Sequence, residues 1–212
     1  LHRAGHARAH AVGDGVGDAA LGVDARGIER EVDGVPQREG RGHHALDLRA
    51  LMALLAQTKE GRATFAEERH IGGFDAPMRT SGELYFKAPD VFERRALKPA
   101  AESMVVHGNQ MTLARGSTRR TMALDAAPEA QAIVGAIRGT LTGDAATLER
   151  HFKVGLSGGP GDWLLDLQPL DAQLQANVRN VQLRGKQGVV GSIEIWFASG
   201  DRSVMTITPV GG

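Results

Sequence analysis

The stretch "SGELYFKAPDVFERRALKP", residues 81–99, decides the fold. Glu83, Tyr85 and Lys87 alternate with Leu84 and Phe86, the period-two signature of a strand with one apolar and one mixed face. Pro89 interrupts the pattern, and Val91-Phe92-Glu93-Arg94-Arg95-Ala96-Leu97 resumes it. Two adjacent strands joined by a proline-bearing turn are the expected result, with an arginine pair on the second strand.

The same period extends in both directions. Thr64–Ile71 precedes the stretch, and Ser103–Val106, Met111–Arg115 and Arg119–Leu124 follow it, separated by His107-Gly108-Asn109 and Gly116-Ser117. Such short connections join neighbouring strands as antiparallel hairpins, so six strands form one sheet. Upstream, Asp47 is placed to cap a helix whose Leu48, Leu51, Met52 and Leu55 share one face, and the helix is expected to end near Gly61. Downstream, Pro128 suits a first helical turn, and Ala132, Ile133, Ala136, Ile137 and Leu141 line one face after it. Asp144 caps a second, short helix to about His151. Strands return at 152–156, 163–167, 178–183, 189–197 and 204–208, while 170–177 is ambiguous between turn and helix.

One helix, many strands, a helical insertion and more strands define an α+β class. About 10–11 strands in one antiparallel sheet curl strongly as twist accumulates. The expected architecture is therefore an incomplete barrel, with helices covering its concave face around an apolar space.

Totals narrow the function. The 212 residues carry 25 basic and 25 acidic side chains, which offers no net basic surface for nucleic acid. Cysteine is absent, excluding disulfides and thiol chemistry. The apolar run at 50–56 is too short to span a bilayer. Residues 1–44 hold five of the eight histidines but no Ser, Thr, Asn, Lys, Met or aromatic residue, and show no sustained periodicity. They read as a disordered or non-native extension, arising even from a misplaced start, before a single domain at 45–210. His2, His6, His10, His43 and His44 match no metal-site spacing, and no metal or cofactor is expected.

Catalytic patterns are weak. Gly155-Leu156-Ser157-Gly158-Gly159 fits G-x-S-x-G, but Pro160 and Gly161 follow where a helix is required, and no histidine follows His151. A glycine-rich hairpin is the plainer reading of that segment. His70, His107 and His151 are isolated, and Glu67 and Glu68 point to opposite strand faces. Apolar stripes carry more information. Leu84 and Phe86, Met111 and Leu113, and Met122 and Leu124 would share one face in register, either as ordinary core or as the wall of an acyl-chain cavity.

"GELYFKAPDVFERRALKP" followed by "ESMVVHGNQMTL" resembles the LolA-type outer-membrane lipoprotein carriers and their LolA-like relatives. "ATFAEER" at 63–69 looks like that family's first strand, "WLLDLQP" at 163–169 a later one, and "VRNVQLRGKQGVVGSIEI" its closing strands. The resemblance implies a non-enzymatic, monomeric periplasmic carrier whose helical lid shelters acyl chains of a lipoprotein or a lipid-linked product. Transfer partners at the inner and outer membranes are implied with it. By position, Phe86 and Phe92 fall in hydrophobic slots, and Leu84, Met111, Leu113, Met122, Leu124, Ile133 and Ile137 complete the candidate cavity. Family members carry an arginine before the first proline that tethers the lid, whereas here that position is Ala88, which favours a LolA-like paralogue. Arg94 or Arg95 is the candidate replacement. Two competing functions are an envelope scaffold with a filled core and, more weakly, an esterase at Ser157.

Overall fold

A computed structural model describes residues 46–211, so the expectations for residues 1–44 lie outside the described residues. The chain runs α1 (Leu48–Leu55), β1 (Glu60–His70), β2 (Met78–Lys87), β3 (Val91–Lys98), β4 (Glu102–His107), β5 (Gln110–Arg115) and β6 (Thr118–Ala123). A 3-10 turn at Leu124–Ala126 leads into α2 (Pro128–Thr142) and α3 (Ala145–His151). Then come β7 (Phe152–Gly159), β8 (Asp162–Pro169), α4 (Ala172–Gln175), β9 (Val178–Lys186), β10 (Val189–Phe197) and β11 (Arg202–Pro209).

All eleven strands form one antiparallel sheet in the order β6-β5-β4-β3-β2-β1-β11-β10-β9-β8-β7. Every step but one is a sequential hairpin or near neighbour. The exception is β1 against β11, which joins the two halves of the chain with Phe65 opposite Ile207. Strands β6 and β7 remain edges, so the sheet does not close. This is the curved α+β half-barrel that the strand count implies.

The opening stretch is the β2–β3 hairpin, with Phe86 opposite Phe92 and Leu84 opposite Arg94. Pairing with β1 places Leu84 beside Ala63, and pairing with β4 places Phe92 beside Val106. These residues therefore lie on one face of the sheet, the side the helices cover.

Two boundaries differ from the sequence expectation. Helix α1 stops at Leu55 rather than near Gly61, and β1 begins at Glu60 rather than Thr64. Apolar periodicity ends at Leu55, and the segment from Glu60 finds ladder partners beginning with Lys87. The glycine-rich segment Ser157-Gly158-Gly159 also belongs to a strand, paired with Asp162–Leu164, and only Pro160-Gly161 turns.

Side chains cap α1, α3 and α4, while α2 begins at Pro128 without a side-chain cap. Asp47 accepts from the Ala50 N–H at 2.7 Å, and Asp171 accepts from Gln173 and Leu174 at the start of α4. Helix α2 ends at Gly143, whose φ of +68° is a left-handed C-terminal cap that a Cβ would crowd against the Met52 carbonyl. Leu51, Met52 and Leu55 bury the inner face of α1, Leu148 that of α3 and Leu174 that of α4.

Packing is unequal across the sheet. On β8 and β9, Trp163, Leu165, Leu167, Val178, Val181 and Leu183 are completely buried. Trp163 fits because Gly185 has no side chain, and its indole N–H donates to the Gln187 carbonyl at 2.8 Å. On β5 and β6 the same face is buried at Met111 but open beyond it, with Leu113 exposed and Arg120 on the surface. Filled core dominates on β8 and β9, and the cavity walls lie mainly on the strands between β10 and β5.

Candidate functional site

Two cavities lie between the concave sheet face and α2, and they share Leu84, Phe92, Ile137 and Ile193. The first, about 530 Å³, runs toward the β2–β3 and β9–β10 turns. Leu55, Ala63, Phe86, Leu141, Leu183, Val190 and Ile207 line it, and its charged residues are Glu60 and Arg62. The second, about 600 Å³, runs toward the opposite end of the strands. Met104, Leu113, Ile133, Ile195, Phe197 and Met205 give it an apolar floor, but Glu67, Arg69, Arg94, Glu102, Arg115, Arg120 and Glu129 also line it. We term these the apolar and charged arms. Both volumes lie within the usual range for small-molecule sites.

The arms follow from strand periodicity. Ala63, Phe65, Glu67 and Arg69 alternate onto the concave face of β1, so the wall changes from apolar to charged along a single strand. At the change, Arg94 of β3 pairs with Glu67 of β1 while its guanidinium lies 4.7 Å from the centre of the Phe65 ring. Glu67 also accepts from the buried Ser203 hydroxyl at 2.6 Å. Further along, Arg69 pairs with Asp201 at 3.4 Å and stacks over Phe197 at 4.3 Å. Arg115 pairs with Glu102 at 3.0 Å near the mouth. These charges are partnered on the sheet, which offsets their desolvation beside an apolar space.

At this end of the sheet Tyr85 and Arg62 project from the face opposite Leu84 and Ala63. The Tyr85 hydroxyl donates to Glu60 at 2.7 Å, and Arg62 lies over the Tyr85 ring at 4.7 Å. Hydrogen bonding to Glu60 raises the Tyr85 pKa above its ordinary 10.0, with desolvation and the Glu60 charge adding to the rise and Arg62 opposing it.

The structure distributes the sequence candidates among three places. Leu84, Phe92 and Ile137 stand where the arms meet, Phe86 lines the apolar arm, and Leu113 and Ile133 line the charged arm. Met111 and Leu124 are buried instead with Val106 and Val134 in a satellite core beneath α2, and Met122 packs against it. Arg94 and Arg95 point to opposite faces of β3. Arg95 pairs with Glu93 at 3.0 Å, and among the described residues neither arginine bonds to a helix. Ser157 is exposed on the edge strand β7, within a strand rather than at a strand-to-helix turn. Among the described residues no cluster of His, Asp or Glu could hold a metal, and no helix is long and apolar enough to cross a membrane.

One residue of this layer had not been singled out from the sequence. Arg138 reaches from α2 to the β2–β3 turn, where Nη2 donates to the Asp90 carbonyl at 2.9 Å, and to the β4–β5 turn, where it donates to the Gly108 carbonyl at 3.0 Å. Burial pulls its pKa below the ordinary guanidinium value, with Asp90 opposing the shift. The signal in the sequence was its isolation: apart from Glu129 in the first turn, Arg138 is the single charge in α2.

The family model described as "Outer membrane lipoprotein carrier protein LolA-like" matches residues 41–208. No curated protein matches the sequence. Among solved structures, a LolA superfamily protein from Nitrosomonas europaea is similar at 12% identity, covering 76% of this chain and 89% of that one, with a TM-score of 0.45. A domain described as an outer membrane lipoprotein-sorting protein from Vibrio parahaemolyticus is similar at 8% identity, covering 78% and 92%, with a TM-score of 0.43. The MucA/MucB complex of Pseudomonas aeruginosa contains a chain similar at 15% identity, covering 77% and 56%, with a TM-score of 0.41.

Proposed function

Because the chain belongs to the LolA-like outer membrane lipoprotein carrier family, we propose that it carries acyl chains of a lipoprotein or a lipid-linked product across the periplasm. Members of this family are generally binding or carrier proteins, and the family is periplasmic. The observation that carries the reading is the pair of cavities joined at Leu84, Phe92, Ile137 and Ile193 beneath α2 and the end of α1. Leu84, Phe86, Phe92, Leu113, Ile133 and Ile137 are the wall against which a chain packs. Each methylene transferred from water contributes about 0.8 kcal/mol, so ten of them supply roughly 8 kcal/mol before ordering costs. Release then requires an acceptor with a more favourable apolar site, which makes membrane-bound transfer proteins the expected partners.

The test is mass spectrometry of the protein gently purified from its native envelope, paired with titration by a neutral fluorescent acyl probe. Co-purified acyl species and saturable probe binding are expected. An empty protein that also fails to bind the probe would overturn the carrier function.

A further inference from the structure

The two arms differ in chemistry, and that difference gives a ligand a direction. Alkyl chain alone satisfies the apolar arm, but it leaves one guanidinium of the charged arm without a counterpart. In that arm Arg94, Arg69 and Arg115 already have the carboxylates Glu67, Asp201 and Glu102. Arg120 does not: it lines the arm from edge strand β6, is exposed, and its side chain has no hydrogen bond or ion pair among the described residues. In the β5–β6 register Arg120 stands opposite Leu113, and Arg115 opposite Thr118. Arg120 and Arg115 are thus diagonal neighbours on the concave face, at about 7–8 Å between backbones, a spacing that two long guanidinium side chains converge across. Glu129, in the first turn of α2, is the facing carboxylate of this arm, placed where the helix dipole favours it.

We propose that Arg120, assisted by Arg115, binds the anionic head group of an amphiphile whose acyl chain lies in the apolar arm. The proposal rests on the acyl-carrier reading and adds to it a polarity and a ligand class: an acyl chain ending in a phosphate or carboxylate oxyanion. A guanidinium suits either anion through paired N–H donors. The chain passes the junction at Leu84, Phe92, Ile137 and Ile193, and the Arg94–Glu67 pair marks where apolar wall gives way to polar. Since β6 is a sheet edge, the head stays in contact with solvent while the tail is enclosed.

Competition against a neutral fluorescent acyl probe tests the site with three ligands of one chain length: oleoyl lysophosphatidate, oleate and monoolein. An anionic ligand is expected to bind about tenfold more tightly than monoolein, the scale of one charge-assisted contact. Arg120→Gln is expected to remove that preference and leave monoolein unchanged, while Arg120→Lys restores part of it. Arg119→Gln is the control, because it removes the same charge from the opposite face of β6 and is expected to change nothing. Preference for lysophosphatidate names a phosphate head and preference for oleate a carboxylate; either supports the site. Equal binding of all three ligands, or an equal effect of Arg119→Gln, overturns the head-group site while the acyl-carrier reading stands. Failure of every ligand to displace the probe overturns both.

Discussion

Nη2 of Arg138 donates to the backbone carbonyl oxygen of Asp90 at 2.9 Å, fastening the helix over the cavity to the turn that follows Ala88. The same nitrogen reaches the Gly108 carbonyl, so one side chain spans the β2–β3 and β4–β5 turns. Arg138→Met keeps the aliphatic stem and removes both bonds. A loss of about 1–3 kcal/mol is expected, the range for hydrogen bonds from a charged donor in a partly buried site. The diagnostic readout is amide hydrogen exchange across 128–142, which should accelerate more than exchange in β8 and β9. Uniform acceleration, or none, would deny Arg138 a specific hold on α2.

How legible this was in the sequence depended on period. The β2–β3 hairpin and the inner faces of α1 and α2 are all amphipathic with one clean repeat, and each face formed where the repeat placed it, although α1 stops at Leu55. Leu84, Phe86 and Phe92 reach the cavity because a period of two leaves them no other face. Met111 and Leu124 obey the same rule, yet they meet Val106 and Val134 and sit in a filled core. Periodicity assigns a face and is silent about what covers it. Arg138 was hidden for a different reason. Its partners are main-chain carbonyls, which any residue supplies, so no side chain elsewhere in the sequence marks the contact. That β10 and β11 complete both arms depended on pairing β1 with β11, a long-range join that no local pattern specifies.

Ala63 tests whether the apolar arm is the binding volume. It lies on the concave face of β1 between Leu84 and Pro209 and lines the cavity with a single methyl group. Ala63→Trp places an indole into that volume of about 530 Å³. Affinity for a long-chain probe is expected to fall tenfold or more, with the far-ultraviolet circular dichroism unchanged. Ala63→Ser, which adds little volume, serves as the comparison. Undiminished probe affinity in the tryptophan variant would place the ligand elsewhere.

The Glu67–Arg94 pair predicts a non-additive mutant cycle. Their side chains are 15% and 24% exposed, so each charge is partly desolvated and each depends on the other. Arg94→Met leaves Glu67 with the Ser203 hydroxyl alone, at an expected cost of about 1–3 kcal/mol. Glu67→Gln strands Arg94 over Phe65 with a similar cost. The double variant should be less destabilised than the sum of the two, because no unpaired charge remains. Urea denaturation of the four proteins measures this; strict additivity would mean that the pair is solvated as two independent charges.

Acid should weaken the start of α3. Asp144 accepts from the Thr147 hydroxyl at 2.5 Å and the Thr147 N–H at 2.9 Å, and these bonds, the hydroxyl first, hold its carboxyl below the usual pKa. A folded-state pKa below the unfolded one means stability that is present above the unfolded value, about 3.9, and is lost as pH falls through the folded value. Asp144→Ala should cost about 1 kcal/mol at pH 7, the usual worth of an N-terminal cap. The gap between variant and parent should narrow below pH of about 4 in thermal melts. A gap that stays constant to pH 2 would show that the carboxylate charge is not what caps the helix.

Tyr85 offers a probe of the outer face of the β1–β2 pair that needs no label, because it is the single tyrosine in the chain. Its tyrosinate absorbance therefore reports on one residue. The hydrogen bond it donates to Glu60 raises its pKa above the ordinary 10.0, so the folded protein should titrate at higher pH than the denatured chain. The sign follows directly: the folded value lies above the unfolded one, so the contribution is complete below the unfolded value and is lost as pH rises through the folded value. Glu60→Ala removes both the acceptor and the nearby negative charge, and the absorbance midpoint should move down toward 10. Arg62→Gln removes an opposing positive charge and should move it up. Opposite shifts from two neighbours would confirm that Tyr85 stands between them on the outer face of β1 and β2, as the Glu60 hydrogen bond and the Arg62 stacking require. A midpoint unmoved by either substitution would mean that the Tyr85 side chain leaves this position in solution.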